Sequence, residues 1–145
     1  MKTSHFNNQP YENAYNLTFN FINGKLNAIQ ETTILAKDFK GIFTGADIHI
    51  SPDGKFLYAS NRGEANTISI FKIQKNGQLQ PQSVVSSLGK GPRNFAIDPT
   101  GKFFLVAHQY SNDVVIFKRD AVSGAITDSG KRLKLCSPVC LIFGN

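Results

Sequence analysis

The chain of 145 residues contains no tryptophan and only two cysteines, Cys136 and Cys140. Two cysteines without clustered histidines do not form the ligand pattern of a zinc site, so we expect reduced, partly buried thiols and no metal. No window approaches the about 20 apolar residues of a membrane span. The N-terminus, MKTSHFNNQPYEN, also lacks the apolar stretch of a secretory signal. These absences predict a cytoplasmic protein without a membrane partner.

The charge balance is basic but diffuse. Sixteen Lys and Arg stand against ten Asp and Glu, which gives a formal net charge of +6. Such a charge favours anionic ligands by long-range attraction. Because the basic residues are scattered singly and form no run or helical stripe, we expect no nucleic-acid partner.

Sustained helical spacing of apolar residues is missing as well, and the chain carries a repeat instead. GADIHISPDGKFLYASNRG, residues 45–63, returns in altered form as PRNFAIDPTGKFFLVAHQY, residues 92–110. Pro52 and Pro99 occupy equivalent places, 47 positions apart. A period of about 40 to 50 residues is typical of propellers and solenoids.

Each repeat contains four short runs rich in Ile, Val, Phe, Tyr and Thr: ADIHI, FLYASN, TISIFKI and QSVVSS in the first copy. Four antiparallel strands per repeat make a propeller blade, so the predicted class is all-β. SPDG and DPTG have proline and glycine where hairpin turns need them, and no helix follows as in a phosphate-binding loop. The predicted organisation is an unassigned segment 1–14, a partial blade 15–40, complete blades 44–88 and 92–136, and the inner strand of a further blade at 138–143.

Polar residues recur at one corner of each blade. In an up-and-down blade, the start of the first strand and the end of the second share a face, and the first strand lies nearest the central channel. Each blade therefore presents these residues to one shared funnel. They are Asp47, His49, Asn61 and Arg62 in the first copy, and Arg93, Asn94, His108 and Gln109 in the second. For any single residue a structural role stays open, since propeller channels are wet and side chains at strand ends often satisfy loop backbone.

With both repeat blocks and the ending SPVCLIF in view, the chain resembles the lactonase family of seven-bladed propellers, from about residue 15 to 143. That family includes bacterial 6-phosphogluconolactonases and a fungal carboxymuconate-lactonising enzyme. The resemblance implies a cofactor-free and metal-independent enzyme that acts on a small anionic lactone. Carried over by position, Asp47, His49, Arg62, Arg93 and Asn94 fall on motif positions that line the funnel.

A seven-bladed ring needs about 330 residues at this period, so we expect this chain to be the C-terminal part of such a propeller. The upstream blades of the family supply further funnel residues, and we expect the chain to be inactive by itself. Exposed blade edges also predict possible self-association.

Lactone hydrolysis requires an activated water and a fixed cation for the anionic group. His49 or Asp47 is the expected base, and Arg62 and Arg93 are the expected anion-binding cations. Asn94, Asn61, His108 and Gln109 are the further expected substrate-binding residues. No nucleophilic serine or cysteine signature is present, which favours direct attack by water.

Three other functions remain open from the residues. A non-catalytic propeller that binds a protein would expose aromatic and apolar side chains on the rim, where this chain has Arg, His, Asn and Asp. A lactonising enzyme would use the same rim in the reverse direction. A redox or metal propeller needs a ligand set, which the scattered His5, His49 and His108 do not form within one blade.

Overall fold

The computed structural model describes residues 2–3 and 15–144, and every regular element in those ranges is a β-strand. Short runs of β-branched and aromatic residues form these strands because such side chains pack well on a pleated surface. The strands are β1 (Lys2–Thr3), β2 (Tyr15–Ile22), β3 (Lys25–Thr33), β4 (Phe43–Ile50), β5 (Phe56–Gly63), β6 (Thr67–Ile73), β7 (Leu79–Ser86), β8 (Pro92–Ile97), β9 (Phe103–His108), β10 (Asp113–Arg119) and β11 (Ile126–Lys134).

Eight of the strands form two four-stranded antiparallel sheets. The first blade has the strand order β4-β5-β6-β7, and the second blade has the order β8-β9-β10-β11. Consecutive strands are neighbours throughout, which is the meander of a propeller blade. The predicted all-β propeller class is confirmed.

β1, β2 and β3 form a further sheet of three strands before the first blade. Gln30 joins this sheet to the first blade, because its side-chain amide exchanges two hydrogen bonds with the backbone of Leu79, at 3.0 and 2.6 Å. The partial blade expected over 15–40 falls on β2 and β3, and its place in a ring stays a prediction. Of the unassigned segment 1–14, all but Lys2–Thr3 lies outside the described residues.

The two Pro-Gly segments are hairpin turns, as the sequence predicts. Gly54 and Gly101 have φ angles of 70° and 72°, a left-handed conformation that a side chain would strain. Their amides donate to the carbonyls of Ser51 and Asp98, both at 2.8 Å. These turns follow β4 and β8, at the opposite end of β8 from Arg93 and Asn94. Asp47 and His49 differ from the expectation that they lie at the start of their strand, because β4 begins at Phe43 and they are its fifth and seventh residues.

The two blades pack face to face through one apolar layer. Phe95 and Phe104 of the second blade stack with ring centroids 4.7 Å apart, and Tyr58 of the first blade lies 5.0 Å from Phe104. All three are fully buried. Burying each such side chain stabilises the fold by about 1.5–3 kcal/mol, so this layer fixes how β4 lies beside β8.

Residues 138–143 follow the second blade without a strand assignment. A strand requires a neighbouring strand to which its backbone is hydrogen-bonded, and no strand among the described residues pairs with this segment. Its role as an inner strand therefore stays a prediction. The cysteines that flank its start differ from expectation. Cys136 and Cys140 are free thiols, as expected, but both are exposed rather than partly buried, because the segment runs over the surface.

Within the described ranges, no helix is long and apolar enough to cross a membrane.

Candidate active site

Asp47 lies in a bulge in the middle of β4. The β4–β5 register shifts between Gly45 and Ile48, so that two residues face one on β5. The Asp47 amide donates to the hydroxyl of Ser60 at 3.1 Å, and the Ile48 amide donates to Asp47 Oδ1 at 2.9 Å. Bulges of this kind redirect a side chain and are common beside active sites. The bulge leaves Asp47 Oδ2 free to meet partners outside its own sheet.

His49 is paired with Asp47 on the same face of β4, as alternation along a strand requires. Its Nε2 lies 3.0 Å from Asp47 Oδ2. The imidazole also packs edge-on against the Phe95 ring of the second blade, with centroids 4.9 Å apart. The His49 side chain remains 46% exposed, so solvent and a small molecule can reach it.

The second blade holds the same carboxylate from the other side. Asn94 Nδ2 donates to Asp47 Oδ2 at 2.6 Å, and the Phe95 amide donates to that oxygen at 3.0 Å. Burial raises the pKa of Asp47, but the hydrogen bonds from His49, the Phe95 amide and the Ile48 amide outweigh it. The pKa of this carboxyl therefore lies below its ordinary value, and Asp47 is ionised at neutral pH.

Arg62 and Arg93 supply cations at the same end of the blades. Arg62 is opposite Thr44 in the β4–β5 register, three residues before Asp47, and Arg93 occupies a bulge at the start of β8 beside Asn94. Arg93 is exposed and Arg62 is half-buried. The ion pairs of the described residues include neither arginine. Arg62 Nε is also buried without a hydrogen-bond partner in the described chain.

Asn61 and His108 depart from the expectation that they line the funnel, because both are fully buried. Asn61 Nδ2 donates to the carbonyl of Ile34 at 2.8 Å. His108 Nδ1 lies 3.2 Å from Asp113 Oδ1, and the Ser87 backbone also faces the ring.

These two residues lie beside equivalent crossovers in successive blades. Ile34 follows the last strand of the sheet before the first blade, and Ser87 follows the last strand of the first blade. Asn61 holds the first crossover through its hydrogen bond to Ile34. His108 packs against Gly89 in the second crossover, and its ring nitrogens are buried without a hydrogen-bond partner in the described chain. Gln109, next to His108, is half-buried, and its amide donates to the Gly91 carbonyl at 2.9 Å.

Sequence reasoning missed three contributors to the site: the Phe95 amide, the Ser60 hydroxyl and the Leu141 amide. Two of them are backbone groups, which carry no residue-type signal. Ser60 stands beside Asn61 in a strand otherwise rich in apolar residues, and a polar side chain at that place was the available clue. No group of three or more His, Cys, Asp or Glu side chains among the described residues is arranged to hold a metal ion.

Two packed meander blades are the repeating units of a β-propeller, and an ionised aspartate, a histidine and two arginines outside the ion pairs of the described residues lie along their first two strands. The family model for "Lactonase, 7-bladed beta-propeller" matches residues 14–143. The chain belongs to this lactonase family of seven-bladed propellers.

Relatives of known name agree with the family. A 6-phosphogluconolactonase of Formosa agariphila is 50% identical over 107 residues, which are 72% of this chain and 30% of that protein. The 6-phosphogluconolactonase of Bacillus subtilis is 33% identical over 128 residues, 88% of this chain and 36% of that protein. The chain thus spans about a third of the length of the curated relatives it matches.

Solved structures share the fold over most of the chain. The crystal structure of a putative 6-phosphogluconolactonase from Bacteroides fragilis aligns with a TM-score of 0.82 at 39% identity, over 91% of this chain and 38% of that one. The structure of the periplasmic gluconolactonase of Pseudomonas aeruginosa aligns with a TM-score of 0.81 at 32% identity, over 88% of this chain and 35% of that one.

Proposed function

We propose that this chain supplies part of the active site of a lactonase that hydrolyses an anionic sugar lactone, of the 6-phosphogluconolactone class. The observation that carries the proposal is the contact of 3.0 Å between His49 Nε2 and Asp47 Oδ2, with the His49 side chain 46% exposed. Arg62 and Arg93 lie nearer the starts of β4 and β8, outside the ion pairs of the described residues. The names of the relatives supply the substrate class.

His49 is the base, and Asp47 orients it. The ionised Asp47 can only accept hydrogen bonds, so a neutral His49 donates its proton from Nε2 and leaves the lone pair of Nδ1 free. Nδ1 accepts a proton from water while the water oxygen attacks the lactone carbonyl carbon. The ester C–O bond of the ring then breaks, and the departing oxygen is protonated to a hydroxyl. Asp47 stabilises the imidazolium that forms between these steps.

Arg62 and Arg93 bind the anionic group of the substrate or the oxyanion of the intermediate. A guanidinium suits both because it presents several donors in one plane and keeps its charge. Arg62 brings a buried Nε without a partner in the described chain, and a phosphate or carboxylate oxygen would satisfy that donor.

The test uses a complete ring, because the chain spans a third of its relatives. Residues 15–143 replace the matching segment of the Formosa agariphila enzyme, and the chimera is assayed with 6-phosphogluconolactone. Arg62→Ala or Arg93→Ala should each lower kcat/KM by at least about 30-fold, the effect of removing a charged hydrogen-bonding partner from the transition state. His49→Gln should abolish most of kcat.

Lys55→Ala and Lys102→Ala are the matched controls, since both lysines are exposed and lie beside the Pro-Gly turns at the far end. Full activity is expected of both. If they impair turnover as much as the arginine variants while all proteins remain folded, the charge acts as a diffuse field and the assigned rim is wrong.

A second substrate class follows from the Pseudomonas aeruginosa neighbour, which is named a gluconolactonase. Gluconolactone lacks the phosphate, so it tests the arginines independently. If Arg62 and Arg93 bind the phosphate, their alanine variants lose activity on the phosphorylated lactone and keep it on gluconolactone. Equal losses on both would assign the arginines to the oxyanion.

We also propose a reducing compartment, the cytoplasm, for the complete protein. The support is the pair of exposed free thiols, Cys136 and Cys140, which an oxidising compartment would tend to modify. Because the Pseudomonas aeruginosa neighbour is periplasmic, the compartment of this protein needs an experimental test. Cell fractionation with an antibody to this segment tests it, and recovery from an extracytoplasmic fraction would overturn it.

A further inference from the structure

We propose that Asn94 is a positioning residue that couples the segment 138–143 to the Asp47–His49 pair. The proposal deepens the proposed function, because it reassigns Asn94 from substrate binding to the alignment of the base.

Both ends of the Asn94 amide are occupied. Nδ2 donates to Asp47 Oδ2 at 2.6 Å, and Oδ1 accepts from the Leu141 amide at 2.6 Å. An ionised carboxylate can only accept and a backbone N–H can only donate, so these partners fix the orientation of the amide by themselves. Asn94 is thus held between the first blade and the last described segment.

The two contacts repeat one pattern across successive blades. Asp47 accepts the amide of Phe95, and Asn94, 47 positions later, accepts the amide of Leu141, 46 positions after Phe95. The side chain at this place in each copy therefore holds the first strand, or the equivalent segment, of the next copy. Residues 138–143 stand to β8 as β8 stands to β4, which supports their predicted role as an inner strand.

The first copy has an aspartate at this position and the second copy has an asparagine. This change links the two contacts into one continuous series of hydrogen bonds. An aspartate at position 94 could hold Leu141, but its second oxygen would face the ionised Asp47 and repel it. The amide accepts at one end and donates at the other. Displacing Leu141 frees Oδ1, lets the Asn94 side chain rotate, and weakens the donor that holds Asp47 against His49.

The experiment measures amide hydrogen-exchange rates and the pKa of Asp47 in the 145-residue chain, and it does not measure turnover. Failure of this proposal can therefore be distinguished from failure of the proposed function. Leu141→Pro removes the donor N–H at that position, and it also fixes φ there and restricts Cys140. Residue-resolved exchange of the Phe95 amide reports the other end of this series of hydrogen bonds. We expect this amide to exchange about tenfold faster, the effect expected from loss of one hydrogen bond. Leu141→Ala keeps the N–H and should leave Phe95 unchanged.

The variant Asn94→Asp distinguishes a positioning role of Asn94 from a purely structural role. It keeps an acceptor for Leu141 and replaces the donor to Asp47 with a negative oxygen. We expect the Leu141 amide to stay protected while the pKa of Asp47, followed by the carbonyl-carbon NMR signal, rises. A merely structural residue would lose both contacts or neither.

If Leu141→Pro leaves Phe95 exchange unchanged in a folded chain, the coupling does not exist and the proposal fails. If that variant unfolds globally, seen as fast exchange throughout β9 and β10, Asn94→Asp decides. An unchanged Asp47 pKa in Asn94→Asp then overturns the proposal.

Discussion

Arg119 Nε donates to the hydroxyl of Tyr58 at 2.8 Å and so joins the two blades at the end that carries the Pro-Gly turns. The Tyr58 hydroxyl in turn donates to the Gly124 carbonyl at 2.7 Å. The guanidinium also donates to the Gly101 carbonyl at 2.9 Å and contacts Asp53 Oδ2 at 3.2 Å. One buried arginine therefore ties both Pro-Gly turns and both blades together.

Replacing Arg119 with leucine should lower the free energy of unfolding by about 3 kcal/mol, because it leaves buried acceptors without their donor. The Arg119 side chain is 1% exposed, so water cannot take its place. Urea denaturation measures the change. Arg132→Leu is the control, since Arg132 pairs with Asp128 at the surface, and its unfolding midpoint should barely move. Equal effects of the two substitutions would contradict this account.

Stability should fall as the pH drops below the ordinary histidine pKa of 6.5, owing to His108. Burial lowers the pKa of His108 in the folded chain, and the nearby Asp113 opposes this only in part. Because the folded pKa is depressed, the unfolded chain binds the proton first. The stabilisation is complete above pH 6.5 and is lost as the pH falls through the folded pKa.

The matched substitution is His108→Asn, which places the residue of the equivalent position, Asn61, in the second blade. We expect this variant to fold and to lose the decline in stability just below pH 6.5. Denaturation midpoints at a series of pH values test it, with His49→Asn as the control for loss of an imidazole. Persistence of the same decline in His108→Asn would refute the assignment.

The substitution Gly89→Ala should be tolerated only when a smaller residue replaces His108. A Cβ at Gly89 would overlap the His108 ring, which is fully buried. Gly89→Ala should cost about 1–3 kcal/mol as an overpacked contact. In the His108→Asn background the cost should largely disappear, and a double-mutant cycle measures this coupling. Additive effects would show that the strain lies elsewhere.

The chain by itself should self-associate through its last segment. Val139, Ile142 and Phe143 are 50%, 87% and 43% exposed, and Phe103 of the second blade is 44% exposed. Apolar surface beside an open blade invites contact with another copy. Sedimentation velocity should show oligomers that Ile142→Lys weakens. Val122→Lys, at the equally exposed Val122 in the β10–β11 loop, should leave them intact. A single monomeric species for the unmodified chain would contradict the prediction.

The repeat alone determined the architecture of the chain. Pro52 and Pro99, 47 positions apart, mark turns whose conformation depends on local residue types, and four short runs per repeat at this period predict the meander of a propeller blade. Asp47 and His49 were also accessible from sequence, because alternation along one strand puts them on one face.

Only the tertiary structure decided what the other polar residues do. Asn61 and His108 stand at the same place in the repeat as residues of a rim, but the packing of one blade on the next buries them against the crossovers at Ile34 and Ser87. Asn94 belongs to the site through contacts 47 residues away in both directions, and both depend on how the blades are stacked. A residue's place in a repeat fixes which end of the blade it occupies, whereas its partner across the interface depends on the rotation between blades, which no local pattern encodes.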